Sequence, residues 1–191
     1  MTGGFLEEEG LEYSWSVAKP GTSALEALED GSAHVVQSAL SQGFKPLNNK
    51  KEPECVHFAQ VNEMDGFFLT GRNSEPEFKW ENLTGAEVLV HHGEQPMAMF
   101  KYACHQANIN IDDINIIDAG NASQMDVAFR DGKGMYIHQQ GPAPQQLEAD
   151  GIGYVVTKLG PLIGPCGFSS LAAKRDWLNT DMAAAFMRAY R

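Results

Sequence analysis

From Glu87 onward the chain alternates strand-like segments with helical ones, and that alternation constrains the fold more than any other feature. Glu87 to His91 reads as a strand and roughly Pro96 to Ala107 as a helix. Ile114 to Asp118 is the next strand, a helix opens near Asn121-Ala122-Ser123, and Gly153 to Thr157 is a further strand. When helices separate the strands, each helix carries the chain back across the sheet. The expectation is an α/β fold with mainly parallel sheets covered by helices.

A local pattern occurs twice. Pro20-Gly21-Thr22-Ser23 precedes Ala24-Leu25-Glu26-Ala27-Leu28 and reads as a capped helix start, with Thr22 or Ser23 accepting an orphan amide hydrogen. Asp30-Gly31 stops that helix, Ala33 to Val36 follows as a strand, and Gln37-Ser38 falls at its end. Further along, Met125 to Arg130 is helical, Asp131-Gly132 stops it, and Met135 to Ile137 is a strand ending in His138-Gln139-Gln140. The spacing is too wide for a solenoid and suits two similarly built lobes.

Val56 to Gln60 and Gly66 to Thr70 read as strands, and the polar stretch Arg72 to Pro76 is the expected domain crossing. Gly160 to Pro165, with two prolines and two glycines, ends regular structure and marks the return, and Asp181 to Tyr190 is a helix. The expected organisation is a partial first lobe over 1–72, a second lobe over 73–163, and a return to the first over 164–191.

Composition narrows the functional classes. With 43% hydrophobic residues in 191, the chain can bury a core. Its 25 acidic against 14 basic residues give a net charge of -11, the wrong sign for neutralising phosphates, so no nucleic-acid partner is expected. Cys55, Cys104 and Cys166 are too few and too far apart for a disulfide framework or a CxxC site and read as free thiols. No apolar run is long enough to cross a bilayer, and the first residues lack the basic and apolar parts of a signal peptide.

In open α/β sheets, ligands bind outside the carboxyl ends of the strands, where helix N-termini present free amides. That rule selects Thr22, Ser23, Gln37 and Ser38 in the first half, with Gly21 beside them. In the second half it selects Gly93, Glu94, Gln95, Asn121, His138, Gln139 and Gln140. Gly93 permits close backbone approach, and Pro96 suits the first helical turn. The amide-rich run from His138 to Gln146 is polar without charge and suits a neutral hydrogen-bonding ligand. His91-His92, Glu94 and His138 have no metal-binding spacing, so no metal is assigned. Gly167 to Ser170 lacks the second glycine of a nucleophile elbow, and neither a P-loop nor GxGxxG occurs, so no catalytic residue and no cofactor is assigned.

Five segments in order carry a family resemblance. Gly4-Phe5-Leu6-Glu7-Glu8-Glu9-Gly10-Leu11 is like "GFFxxEGL", and Gly21 to Leu28 with Asp30-Gly31 follows. Trp80-Glu81-Asn82-Leu83-Thr84-Gly85 is like "W-x-D-L-x-G-K"; Ala128 to Gly132 and Leu147 to Gly153 complete the series. Together they resemble the type II periplasmic solute-binding proteins of ABC transporters. The resemblance is to the branch with sulfonate-, nitrate- and thiamin-precursor-binding proteins and the fungal thiamin-pyrimidine synthase. It implies two α/β lobes joined by a two-strand hinge and closing on a small ligand, met by the residues just selected. The cysteine-rich motif of the fungal synthase is absent, so no catalytic role carries over.

The resemblance therefore implies capture of a small polar solute of heteroaromatic, sulfonate or thiamin-precursor type, with ABC transporter membrane subunits as partners and a periplasmic location. An enzyme of thiamin-precursor metabolism and a cytosolic sensor are the alternatives, a cytoplasmic location following if Met1 is the native start. The family has a strand before the "GFF" motif and helices beyond the position of Arg191, so the first lobe is expected to be incomplete and to pair its open edge in a homodimer.

Overall fold

The computed structural model describes residues 3–18 and 22–191. Pro20 and Gly21 of the expected helix start, and the first two residues, lie outside them. The chain forms two compact units, Met1–Val61 with Ser169–Arg191, and Asn62–Phe168.

The first unit contains α1 (Phe5–Glu8), α2 (Glu26–Glu29), β1 (Val36–Ser38), α3 (Lys45–Asn48), β2 (Cys55–Asn62, whose last residue enters the second unit), β8 (Ser169–Lys174) and α8 (Asp181–Tyr190). Its sheet has the order β1-β8-β2, and β1 runs antiparallel to β8, pairing Val36 with Ala172 and Ser38 with Ser170. Leu25 and Leu28 of the α2 turn pack on Val36 and Ala172. Beside them, the rings of Phe58, Trp177 and Phe186 meet at tilted or edge-on angles with centroids about 6 Å apart, a favoured aromatic geometry. The strand expected at Ala33 to Val36 is displaced to Val36–Ser38, because Val36 and Ser38 both turn inward on either side of an exposed Gln37. Gln37-Ser38 is thus part of the strand rather than a strand end. On α8, Ala183 and Ala185 are buried, whereas Met182 is exposed.

The second unit contains β3 (Phe67–Gly71), β4 (Glu87–Leu89), α4 (Glu94–Gln106), β5 (Asn115–Ile117), α5 (Ala122–Arg130), β6 (Tyr136–Gln140), α6 (Ala143–Ala149), β7 (Tyr154–Lys158) and α7 (Gly160–Ile163). The sheet order is β5-β4-β6-β3-β7. β4 is parallel to β5 and β6, while β3 is antiparallel to β6 and β7, so β3 is the one reversed strand of the five. The expected parallel arrangement holds for the other four, but not for the β1–β8 pair of the first unit.

Both faces of this sheet are covered, which is why Val88-Leu89-Val90 is apolar throughout. Successive side chains alternate faces. Val88, Val90 and Tyr136 join Phe67, Leu69, Phe100, Ala103 and Cys104 on the α4 side. Leu89 and Ile137 join Met125, Phe129 and Leu147 on the α5 and α6 side. Each large side chain fully buried here contributes about 1.5–3 kcal/mol.

The division between units falls at Val61/Asn62 and Phe168/Ser169, not at Arg72 to Pro76 and after Ile163. The reason is hydrogen bonding: β3 is flanked on both sides by β6 and β7, which ties it to the second unit. Arg72 belongs there too. Its guanidinium donates to the carbonyls of Phe129, Lys133 and Gly134 at 2.6–2.7 Å and lies 4.1 Å from the Phe129 ring centroid, a cation closing the carboxyl end of α5. The stretch expected to be irregular forms the one-turn α7, with Pro161 in its first turn, where a missing N–H costs nothing, and Gly164 ending it at φ 82°.

Candidate ligand-binding site

Because β4, β5 and β6 are parallel, their carboxyl ends open on one edge of the second unit. β4 continues through His91-His92-Gly93 into α4, β5 through Asp118 to Asn121 into α5, and β6 through a cis Gly141-Pro142 bond into α6. The reversed β3 brings its opening residues, Asp65-Gly66, to the same edge. Phe67 pairs with Gln140, and the Gly141 amide donates to the Gly66 carbonyl at 3.2 Å.

The helix starts at this edge differ. α5 is closed by a capping box in which Asn121 Oδ1 accepts from the Gln124 amide at 3.1 Å and Gln124 Oε1 accepts from the Asn121 amide at 2.9 Å. Asn121, selected as a ligand contact, is therefore a helix cap. α4 begins at Gly93, which offers no side-chain acceptor to the first-turn amides. The His91 ring lies against Gly93 so closely that a Cβ there would stand 2.5 Å from the imidazole Cε1. His92 Nδ1 approaches the Val90 carbonyl at 3.1 Å and Asp118 Oδ2 at 3.5 Å.

β6 separates the run His138-Gln139-Gln140. His138 turns to the α4 side, 2% exposed, stacked on Phe67 and tilted against Phe100, with neither ring nitrogen hydrogen-bonded among the described residues. Burial lowers its pKa to about 3, so it is neutral. Gln139 turns to the opposite face, buried, and its Nε2 donates to Asp126 Oδ1 at 3.2 Å. Within this run only Gln140 is exposed, and it lies at the edge.

Phe168, Gly66 and Asp65, which sequence reasoning did not select, lie at the same edge as the selected Gln95. Gln95 Nε2, in the first turn of α4, donates to the Phe168 carbonyl at 2.7 Å. The Phe168 ring meets Phe67 edge-on at 5.5 Å. A Cβ on Gly66 would lie 3.3 Å from the Phe168 ring and 3.8 Å from Gln140 Cγ, so these side chains gather around Gly66. Asp65 beside it is 8% exposed; Oδ1 accepts from the Phe67 amide at 2.7 Å, and Oδ2 has no partner among the described residues. Burial raises its pKa to about 6. Asp-Gly before an apolar strand reads locally as a turn, so no signal in the sequence marks Asp65 as buried.

The remaining selected residues belong to the first unit. Thr22 is exposed. Ser23 Oγ accepts from the Leu25 amide at 3.2 Å and donates to Gln42 Oε1 at 3.1 Å. Gln37 is exposed on β1, its Nε2 donating to Ser169 Oγ at 3.4 Å. Ser38 is buried, its hydroxyl directed to the Ala39 carbonyl at 3.3 Å. Ser170, paired with it, lies 2.7 Å from His57 Nδ1. The hydroxyls of Ser23 and Ser38 thus serve the first unit's own hydrogen bonding. The side chain of Glu94 lies outside the described atoms.

No protein-family model matches the chain. YtlA of Bacillus subtilis (strain 168), named as a candidate binding protein, is 30% identical over 197 residues, covering 97% of this chain and 57% of that protein. Among solved structures, the periplasmic sulfonate-binding protein SsuA from Methylobacillus flagellatus KT superposes with a TM-score of 0.70 at 18% identity, over 97% of this chain and 57% of that one. The periplasmic aliphatic sulphonate binding protein SsuA from Escherichia coli gives 0.66 at 17% identity, over 86% and 57%. The fold is that of the type II solute-binding proteins. The resemblance read from the sequence motifs and the three-dimensional likeness point to the same architecture. The chain spans a little over half the length of the relatives it matches. Among its described residues, no helix is long and apolar enough to cross a membrane.

Proposed function

We propose that the chain acts in capture of a small polar solute, binding it without turnover for delivery to ABC-type membrane subunits in the periplasm. The observation that carries this reading is the edge of the second unit. There Phe168 and the exposed Gln140 lie beside Gly66, Gln95 in the first turn of α4 holds the Phe168 carbonyl, and Gly93 gives that helix start no side-chain cap. Backbone amides and carboxamides recognise hydrogen-bonding groups, so a small, neutral or weakly charged polar solute suits the edge. The binding-protein likeness supports the same reading.

Native mass spectrometry of gently purified protein tests it. A small molecule retained at one per chain and recovered unchanged after incubation is the expected result. Conversion of the molecule, or failure to retain or take up any solute, overturns the reading.

A further inference from the structure

Asp65 stands out at this edge because its carboxylate is buried and half-satisfied. Oδ1 is committed to the Phe67 amide, whereas Oδ2 has no partner among the described residues. A carboxyl group with a pKa near 6 is ionised at neutral pH, and a buried, unpaired carboxylate is costly unless some group compensates it. Chain groups surround it without doing so. The stretch from Gly160 to Phe168 packs on residues 65 and 66. A Cβ on Gly160 would lie 2.8 Å from the Asp65 carbonyl, the Cys166 amide donates to Glu63 at 2.7 Å, and Phe168 faces Gly66. The Cys166 thiol, its pKa raised by burial and then by the Asp65 charge, supplies no positive charge. A Cβ on Gly66 would stand only 3.3 Å from the Phe168 ring, so glycine lets the backbone beside Asp65 lie close against Phe168 and Gln140.

We propose that Asp65 sets the ligand class, its Oδ2 accepting a hydrogen bond from an N–H or protonated nitrogen of the solute. This inference rests on the solute-binding reading and makes it specific. The preferred solute carries a cationic or donor nitrogen and is not a sulfonate, although the named structural relatives bind sulfonates. An anion brought beside an ionised, desolvated carboxylate would be repelled, whereas a donor nitrogen completes it with a charge-assisted hydrogen bond.

Calorimetric titration of the full chain at pH 7.5 with 4-aminopyridine and with pyridine-3-sulfonate distinguishes these cases, in the wild type and in Asp65→Asn. The asparagine keeps the Oδ1 acceptor for Phe67, and a melting curve verifies that the variant is folded. The expected result is that 4-aminopyridine binds, that Asp65→Asn weakens it about tenfold or more, and that the sulfonate binds more weakly than the amine. Failure of 4-aminopyridine to bind, binding that Asp65→Asn leaves unchanged, or tighter binding of the sulfonate overturns the proposal. Native mass spectrometry of the same preparation separates the two failures: a retained solute leaves the binding reading standing, and its absence removes both.

Discussion

The imidazole of His138 lies stacked on the ring of Phe67, centroids 4.4 Å apart and planes 27° from parallel, with both ring nitrogens unpartnered among the described residues. A polar ring here behaves as a core residue. Its pKa is lowered from 6.5 to about 3, so the folded state resists a proton that the unfolded chain takes up below pH 6.5. Stability therefore falls as pH drops from 6.5 towards 3, by on the order of 4 kcal/mol from this group. His138→Phe should preserve the stacking and remove that part of the acid sensitivity, as read from urea unfolding at pH 7 and pH 4.5. An equal acid loss in both proteins would show that His138 is not its source.

Asp65 has the opposite sign. Its pKa is raised from 3.8 to about 6, so the folded state holds a proton that the unfolded chain has released. The stabilising effect of protonation is present below pH 3.8 and is lost as pH rises through about 6. Asp65→Asn should accordingly stabilise the ligand-free chain at pH 7, by on the order of 2 kcal/mol, and much less at pH 4. Thermal unfolding at the two pH values measures the difference; a variant less stable at pH 7 would contradict the expectation.

Arg72 connects β3 to the far end of α5 through three carbonyls and the Phe129 ring. Arg72→Ala leaves those acceptors exposed or unpaired and should cost about 2–4 kcal/mol. Arg72→Lys should recover only a fraction, since an ammonium cannot reproduce the planar fork. Denaturant midpoints of the two variants decide this, and equal midpoints would refute the role of the fork.

Gln140 and Gly153 separate binding from stability. Gln140 is exposed at the edge, so Gln140→Ala should change stability by less than about 0.5 kcal/mol while weakening solute retention. Gly153 lies where a Cβ would stand 2.9 Å from the Gly71 carbonyl oxygen, so Gly153→Ala forces backbone movement and should cost about 1–3 kcal/mol. Melting curves paired with solute retention test both. Equal loss of stability and binding in Gln140→Ala would remove it from the site.

Much of the second unit was legible in the sequence because its signals are local. The Asp131-Gly132 stop, with Gly132 at φ 96°, the helical segments that become α4 and α5 and the strand-like segment that becomes β4 each depend on neighbours within a few residues. The candidate site was only partly legible. Gln95 and Gln140 were selected by their place at a helix start and a strand end, and in the structure both meet Phe168, Gln95 at its carbonyl and Gln140 beside it at Gly66. Asn121 was selected by the same rule, yet its oxygen closes its own helix, because a capping residue and a ligand contact look alike in one dimension.

By itself the sequence determined the alternation of elements, the stops between them and the edge where strands meet helix starts. These follow from backbone sterics and side-chain periodicity, which act over a turn or a strand. Only the tertiary structure decided that β3 runs against its neighbours, and so brings Asp65 and Gly66 to that edge. It also decided that His138 and Gln139 part to opposite faces, one stacked on Phe67 and the other bonded to Asp126. Burial and pairing are properties of residues distant in the chain, and a polar side chain's role depends on which of them folding brings within reach.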